Sequence, residues 1–241
     1  MSFHLEVGVY AKKTKKILNE IKTIIQQKPF DYEKAENLIS ELNLEEAPLE
    51  LENILLASIN NSDENARIFA YEYLYYFDSE AVFQAALIGT TDDDDLVQMC
   101  SIEILGNLAK VESLPYLKKA LGDNNPNVRC FAAESIGFVG TDEAKKMLEK
   151  QLDKETDSFA KVGIYSALHF LGDEAMLSNI IALLDDSYHL TIIRSLRVLE
   201  DCINQANKEM IKSSTKNLLE RDIPISVKDA AEIVLEKLKR E

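Results

Sequence analysis

Glycine, proline and tryptophan are scarce in this sequence: its 241 residues include eight glycines, five prolines and no tryptophan. β-Rich folds need glycine and proline at their many turns, so the low counts argue against a β sandwich or barrel. Alanine, leucine, isoleucine, glutamate and lysine, which favour helices, fill long stretches instead. We therefore expect an all-α protein, and the hydrophobic content of 46% predicts that it is globular.

Cysteines are also few. Cys100, Cys130 and Cys202 are odd in number and widely spaced, and no CxxC pair occurs. This pattern argues against a disulfide framework and a zinc site, so we expect small buried hydrophobic side chains in a reducing compartment. The sequence shows neither a signal peptide nor a run of the about 20 apolar residues that a membrane span needs. We expect a cytoplasmic protein that does not enter a membrane.

Motifs of catalysis are missing as well. The sequence contains no GxGxxG, no Walker loop and no GxSxG. Its three histidines, His4, His169 and His189, have no carboxylate at a metal-ligand spacing. We therefore predict that the protein is not an enzyme and has no catalytic residue, no metal and no cofactor.

Positive charge is in deficit, and the deficit is local. The formal net charge is −15. Residues 46–125 hold 4 basic and 15 acidic side chains, whereas residues 1–45 are neutral and residues 126–241 carry −4. Such a field repels a phosphate backbone and attracts a basic protein. The alternative is that the acidity serves solubility alone.

Self-similarity, by contrast, is abundant. Three segments repeat at a spacing of 31 residues, with matching positions at Ala66, Val97 and Val128. Each follows a polar Asp/Asn loop and has a small residue four positions on and a large apolar residue eight positions on. A small residue between larger ones allows two helices to pack closely. The small residues are Ala70, Ser101 and Ala132, and the large ones are Leu74, Leu105 and Ile136.

The pattern continues downstream. The first column falls next on Ala160, after 32 residues, and then on Leu190, after 30. The match at Leu190 is weaker, because Arg194 takes the small-residue column and Ser195 stands beside it. After an insertion, Val227 restores the pattern. We predict six units, each with a helix, a short turn and a second helix.

These columns resemble HEAT repeats, in particular the short form named after phycobilisome lyases. The resemblance covers about residues 50–241, and its best copy runs from Leu121 to Leu152. It implies a right-handed α-solenoid of stacked antiparallel helix pairs, with the second helices lining the concave face, and a binding scaffold as function. The positions that match are Val128, Arg129, Ala132, Ala133, Ile136 and Gly137.

Two enzyme classes with this type of repeat stand as alternatives, the phycobilin lyases and the HEAT-like DNA glycosylases. The glycosylases bind DNA with a basic face and use tryptophans, whereas this chain is acidic and has no tryptophan. HEAT-repeat hydroxylases with a di-iron site use His-Glu pairs, and the sequence has no His-Glu dipeptide. The repeat type alone supports the lyase alternative.

Residues 1–45 do not match the repeat but show two helical stripes. Apolar residues recur at helical spacing in KKILNEIKTII and again in DYEKAENLISEL, where Asp31 is the expected helix cap. A stacked array needs an atypical end unit to cover its core. We predict a helical cap over residues 1–45 and one continuous solenoid over residues 46–241.

The densest aromatic stretch, AYEYLYYF at residues 70–77, lies within the acidic segment. Tyrosine is a stiff, amphipathic interface anchor, and carboxylates around it suit a Lys/Arg-rich partner. We predict a protein that is monomeric when unbound and binds a basic protein, not nucleic acid; a narrower hypothesis is an immunity-type inhibitor that masks a basic nuclease toxin. The predicted partner-binding residues are Tyr71, Glu72, Tyr75, Tyr76, Asp78, Glu80, Asp92, Asp93, Asp94, Asp95, Glu103 and Glu112.

Four consecutive aspartates, Asp92–Asp95, precede one of the repeat helices. An EF-hand needs alternating ligands, a glycine and a distant glutamate, and this order is absent. We expect Asp92 or Asp93 to cap the helix and the following ones to lie in its first turn, where the helix dipole favours negative charge. The carboxylates beyond those that a cap needs are attributed to a basic partner.

Overall fold

The computed structural model describes residues 2–42 and 49–240, with side chains from Lys12 onward. Within those ranges the regular structure comprises 14 α-helices and two short 3-10 helices, and no strand. The expected all-α fold of helical repeats is confirmed. The chain divides into two compact units, residues 1–108 and residues 109–241. The boundary expected between a cap and the repeats, at residues 45 and 46, lies outside the described residues.

The first unit contains six of these helices. They are α1 (Ser2–Ile25), α2 (Tyr32–Ser40), α3 (Leu49–Leu56), α4 (Glu64–Leu74), α5 (Glu80–Gly89) and α6 (Asp95–Leu108). Helix α1 packs against α2 and α3, α2 packs against α4, and α4 packs against α6. The helices α3 and α5 also contact each other. Helices α2 and α3 therefore contact α4 and α5 in the manner of one more repeat.

The helices predicted for the N-terminal segment are present. The stripe on α1 is buried against its neighbours, and Asp31 caps α2 by accepting a hydrogen bond from the backbone N–H of Lys34. Both features follow from sequence spacing, because a helix places residues three and four positions apart on one face. The buried stripe on α1 consists of Ile17, Leu18, Ile21, Ile24 and Ile25.

The second unit contains eight α-helices. They are α7 (Leu114–Ala120), α8 (Pro126–Val139), α9 (Asp142–Leu152), α10 (Ser158–Phe170), α11 (Met176–Ala182), α12 (His189–Asp201), α13 (Lys208–Leu219) and α14 (Ile225–Arg240), with 3-10 helices at Val111–Ser113 and Leu183–Asp185. The first helices of successive repeats pack in series, α8 on α10, α10 on α12 and α12 on α14. Of the second helices, α9 packs on α8 and α11 on α10, the first helices of their own pairs, whereas α13 packs on α14.

The repeat columns are the buried seam of this packing. The first-column residues Ala66, Val97, Val128 and Ala160 are all 0% exposed. The fifth repeat departs from the sequence prediction by one residue, since Thr191 is 0% exposed while Leu190 is 41% exposed. The predicted register there was wrong: Thr191, Ser195 and Leu199 fill the three columns. The small-residue column requires the hydroxymethyl group of Ser195, because a guanidinium would not fit between two helices.

Helices α8 and α10 of successive repeats approach each other closely. Gly163 of α10 faces the backbone of Cys130 of α8, where a Cβ atom would lie 2.9 Å from the carbonyl carbon. A methyl group at that distance would push the helices apart, so only glycine permits this spacing.

Candidate functional site

The four aspartates are placed by the repeat loop and by an arginine one repeat earlier. Arg67 of α4 donates from Nε and Nη2 to the carboxylate of Asp92, at 3.0 and 2.7 Å, and from Nη2 to Asp93 at 2.7 Å. Asp94, and not Asp92 or Asp93, caps α6, because its Oδ1 accepts from the backbone N–H groups of Leu96 and Val97. The cap assignment made from the sequence was therefore wrong by one or two residues.

The Arg67 contact recurs in the second unit. Arg129 of α8 donates to both carboxylate oxygens of Glu155, at 2.8 and 2.9 Å. Each arginine also donates from Nη1 to a carbonyl six residues earlier, Arg67 to Asn61 and Arg129 to Asp123. We call this arrangement an arginine bridge: one guanidinium joins the loop of its own repeat to an acid in the loop of the next.

Gln98 of α6 occupies the bridge column in the repeat between them. Its Nε2 donates to the carbonyl of Asp92, again six residues earlier, at 2.7 Å. The Gln98 amide has no charge with which to form an ion pair with an acid. Gln98 therefore makes only the hydrogen bond to the carbonyl six residues earlier. The polar residue after each first column is thus a loop tie in all three repeats.

The bridges change the ionisation of their acids. Burial disfavours the charge of Glu155, but hydrogen bonds from Arg129, the Asp157 backbone and Gln151 outweigh it and lower its pKa to about 2. Burial likewise favours a higher pKa for Asp92, but hydrogen bonds from Arg67 and from the Asp94 backbone outweigh it, and the pKa of Asp92 is lowered. Both acids are ionised at neutral pH and belong to the framework.

These contacts reduce the number of aspartates available to a partner. The Asp92 side chain is 14% exposed, and Asp94 is occupied as a cap. The Asp93 side chain is 93% exposed although it contacts Arg67, and Asp95 is exposed at the start of α6. Much of the acidity of this loop therefore serves the fold, contrary to the sequence interpretation that gave the excess to a partner.

A chain of aromatic rings runs from the core of the first unit to its surface. Phe30 lies 5.3 Å from Phe69, Phe69 lies 4.8 Å from Tyr73, and Tyr73 lies 6.4 Å from Tyr76, measured between ring centroids. Phe69 is fully buried, whereas Tyr76 is 58% exposed. The rings therefore support one another, so that an exposed tyrosine is backed by a rigid apolar stack.

Tyr75 continues this row of aromatic rings, whereas Tyr71 lies apart from it. The rings of Tyr75 and Tyr76 are 5.7 Å apart, and Tyr75 is 42% exposed. Tyr71 is 1% exposed, and its hydroxyl donates to the carbonyl of Ala85 at 2.9 Å. Tyr71 cannot contact a partner, and its place among the predicted binding residues is a further correction. Tyr71 and Tyr75 are four residues apart and share one helix face, but this spacing does not distinguish the middle of α4 from its end.

Carboxylates line the same part of the surface. Tyr32 donates its hydroxyl hydrogen to Glu72 of α4, and burial together with Glu72 raises the Tyr32 pKa. Burial and the charges of Glu36 and Glu72 also raise the pKa of Tyr73. The Glu36 of α2 was not predicted from sequence, because α2 lay outside the repeat alignment.

The third carboxylate of this surface is Glu103 of α6. Burial, Glu72 and Glu103 raise the pKa of the half-buried Cys100 thiol to about 12, so both carboxylates act on the same group. Glu72 and Glu103 occupy the same repeat column, 31 residues apart, and both are exposed. We define the acid–tyrosine surface as Glu36, Glu72, Glu103, Tyr75 and Tyr76.

The remaining predicted residues are exposed but do not join this set. Asp78 lies in the turn between α4 and α5, and Glu80 is in the first turn of α5, where Gln84 donates to it at 2.8 Å. Glu112 belongs to the second unit, in the 3-10 helix that precedes α7. Residue type and spacing alone do not separate them from Glu72 and Glu103.

In the second unit, the column of Glu72 and Glu103 holds Glu134, which contacts Arg194 of α12. The Arg194 guanidinium also lies 4.9 Å from the Phe131 ring centroid. The carboxylate is thus neutralised by a buried ion pair. The acidic character of this column is therefore confined to the first unit.

Other chemistry is limited in the part of the chain described. Among those residues no group of three or more His, Cys, Asp and Glu side chains is arranged to hold a metal ion. The side chain of His4 lies outside the described residues. Cys130 is fully buried, and burial raises its thiol pKa. In the residues searched, none of the helices combines the length and apolar character of a membrane span.

Comparison with known proteins agrees with this repeat geometry. Residues 85–169, about a third of the chain, match the family model described as HEAT repeats. The matched segment is thus similar to HEAT repeats, and it includes the Gln98 tie and the Arg129 bridge. No curated protein sequence matches the chain.

Several solved structures are similar at low identity. The complex of CpcE and CpcF of phycocyanin lyase from Nostoc sp. PCC7120 has a TM-score of 0.48 and 18% identity, and covers 83% of this chain and 98% of that one. Human deoxyhypusine hydroxylase has a TM-score of 0.41 and 11% identity, covering 97% and 100%. A designed armadillo repeat protein has a TM-score of 0.36 and 17% identity, covering 78% and 99%. Likeness at this level carries nothing about activity or ligand.

Proposed function

We propose that this protein is a non-catalytic scaffold that binds a basic segment of a partner protein through the acid–tyrosine surface. The observation that carries the proposal is the convergence of Glu36, Glu72 and Glu103, from three helices, beside two exposed tyrosines that a buried ring stack supports. HEAT-repeat architecture is consistent with this role, since such arrays expose extended faces for binding.

The charge balance of the first unit supports a cationic partner. Residues 49–108 contain twelve acidic side chains and a single basic one, Arg67. Arg67, which Asp92 and Asp93 engage, is the single positively charged side chain on α4 and α6. A Lys/Arg-rich segment would supply that charge and would be steered to the surface at long range.

The tyrosines add aromatic ring surface for contact with a partner, which charge alone does not provide. Tyr75 and Tyr76 meet edge to face, with an interplanar angle of 86°, and present ring surface beside carboxylates. An arginine or lysine side chain can lie against such a ring while its charge meets a carboxylate. Buried aromatic anchors supply most of the binding energy in many interfaces, whereas rim charges set rate and specificity.

The test compares the full chain with two double variants in affinity purification from the host. Glu72→Gln/Glu103→Gln removes two charges and keeps the hydrogen-bond acceptor for Tyr32. Glu220→Gln/Glu232→Gln removes two exposed charges from the second unit and is the matched control. We expect a basic protein that the wild type and the control retain, that the first variant loses, and that elutes as salt rises.

The purified partner then allows the affinity to be measured. We expect Glu72→Gln/Glu103→Gln and Tyr76→Ala each to weaken binding by about tenfold, with the control within about twofold. Retention of nothing, or equal retention of one partner by both double variants, would overturn the proposal.

An inhibitor of a basic nuclease toxin is the narrower form of the same proposal. It requires that co-expression protects growth against the nuclease and that Glu72→Gln/Glu103→Gln removes the protection. Protection that survives this variant would place inhibition elsewhere on the molecule.

A further inference from the structure

A basic groove lies in the second unit, between the second helices of two successive repeats. Helices α7 and α9 enclose a surface cavity of about 340 Å³. In a chain with a net charge of −15, its lining is unusual, because four of the nine lining residues are lysines and one is acidic. The lining consists of Lys118, Leu121, Gly122, Glu143, Lys146, Met147, Lys150, Gln151 and Lys154.

Helical spacing explains why the lysines converge. Lys146, Lys150 and Lys154 are four residues apart, so the first two share one face of α9 and the third continues that line beyond its end. Lys118 of α7 approaches from the other wall. These four side chains are exposed or rim the cavity, and they take part in none of the ion pairs found among residues 12–42 and 49–240.

The floor of the groove is apolar and fixed. Leu121 is 3% exposed, and Met147 is half-buried beside it. Gln151 is buried and donates from Nε2 to Glu155, the acid of the Arg129 bridge, at 3.2 Å. The arginine bridge therefore holds one side of the floor, and the groove combines a buried base with exposed cationic side chains.

From this arrangement we propose that the α7–α9 groove binds an acidic segment of a protein, in which an apolar side chain enters over Leu121 and Met147 while carboxylates meet the lysines. The four lysines and the single Glu143 give charge complementarity to carboxylates. The apolar floor matches an amphipathic peptide, and it has no aromatic ring on which a nucleic-acid base could stack.

This inference is independent of the proposed function. The groove belongs to the second unit, carries the opposite charge and would select a different class of partner. The chain would then bind two proteins, one basic and one acidic, by separate surfaces. Loss of either surface would leave binding at the other.

The test uses the full chain and a fluorescein-labelled peptide of about 14 residues, rich in Asp and Glu, with a central Leu-Leu pair. The groove variant is Lys146→Glu/Lys150→Glu, and Lys146→Gln/Lys150→Gln removes the charge without reversing it. The control, Lys216→Glu/Lys239→Glu, makes the same charge change at exposed positions on α13 and α14. Binding is measured by fluorescence anisotropy, and folding by circular dichroism.

We expect the reversal to weaken peptide binding at least about tenfold, the neutral variant by less, and the control by no more than about twofold. Replacing Leu-Leu by Ser-Ser in the peptide should also weaken it, because the floor is apolar. Equal weakening by the control pair would overturn the proposal, since net charge alone would explain it. Tighter binding of a single-stranded RNA probe with the same lysine dependence, or groove-dependent dimerisation of the chain, would overturn the assignment of the occupant.

Discussion

Arg67 donates hydrogen bonds to both carboxylate oxygens of Asp92, one repeat further along the chain, and neither side chain is more than 14% exposed. Bidentate pairs of this kind combine charge with fixed geometry. Removing one member leaves the other charge poorly solvated, which costs more than the pair itself contributes. The first aspartate of the acidic run is therefore a structural residue.

We expect Asp92→Ala to lower the free energy of unfolding by about 2 to 4 kcal/mol, because it leaves Arg67 without its main partner. Asp93→Ala should lower it by less than about 1 kcal/mol, since an ion pair with a side chain 93% exposed is screened by water. Urea unfolding of the two variants at one salt concentration measures the difference. Equal losses would contradict the structural role of Asp92.

The second arginine bridge makes stability depend on acid. The pKa of Glu155 is lowered to about 2 in the folded protein from 4.5, so the folded state binds its proton less readily than the unfolded chain does. Such a group contributes stability above its unfolded pKa and loses it as pH falls through the folded value. The contribution is at most about 3 kcal/mol for this shift. The loss should fall between about pH 5 and pH 2.

Glu155→Gln should therefore be less stable than the wild type at pH 7, and the gap should narrow as pH approaches 2. Thermal or urea unfolding at several pH values between 7 and 2 measures it. Glu149→Gln, an exposed position on α9, is the control and should differ little from the wild type at any pH. A gap for Glu155→Gln that stays constant with pH would refute the bridge as its source.

The contact of α8 with α10 predicts that replacing a helical glycine by alanine, which ordinarily stabilises a helix, destabilises this protein. Gly163→Ala should raise helix propensity by about 1 kcal/mol. It should nevertheless destabilise the protein by about 1 to 3 kcal/mol overall, because the added methyl group meets the Cys130 carbonyl. Gly122→Ala is the comparison: its methyl would lie 3.5 Å from the Lys119 carbonyl oxygen, an ordinary contact. That variant should be neutral or slightly stabilising in the same unfolding experiment.

Substitutions of Tyr71 and Tyr76 should have opposite effects on stability and on partner binding. Tyr71→Phe removes a buried hydroxyl that donates to Ala85, and we expect a loss of about 1 to 2 kcal/mol in unfolding free energy. Tyr76→Ala should cost less stability than this, because the ring is 58% exposed, but should weaken partner binding. Comparing unfolding and binding for both variants separates the roles. A binding defect in Tyr71→Phe at full stability would contradict its assignment to the core.

The sequence was sufficient for the parts of this structure that depend on local spacing. The small residue four positions after each first column and the Asp31 cap each follow from contacts within one helix or its flanking loop. The register at Thr191 was missed because Leu190 is the better apolar match, and only packing against α10 favours the smaller side chain. Local pattern and helix contact disagree there by one residue.

The candidate surfaces were less accessible to sequence reasoning. The Arg67 and Arg129 bridges join residues 25 and 26 positions apart in sequence. The local contact that accompanies each bridge is a hydrogen bond from the arginine to the carbonyl six residues earlier. The groove lysines lie on helices that are separated in sequence by α8, so no contiguous basic motif marks them. Exposure at the end of α4 depends on where its neighbours end, which residue types alone do not state.

The arginine bridge also bears on how such an array can grow or shrink during evolution. Each arginine belongs to one repeat and its acid to the next, so neither repeat is self-sufficient. Removal of one such repeat would delete the arginine or the acid of a bridge and leave the other residue without its partner. Duplication of two successive repeats, in contrast, copies an arginine together with its loop acid. Duplication in such pairs therefore keeps every bridge intact, while loss of a single bridging repeat breaks one.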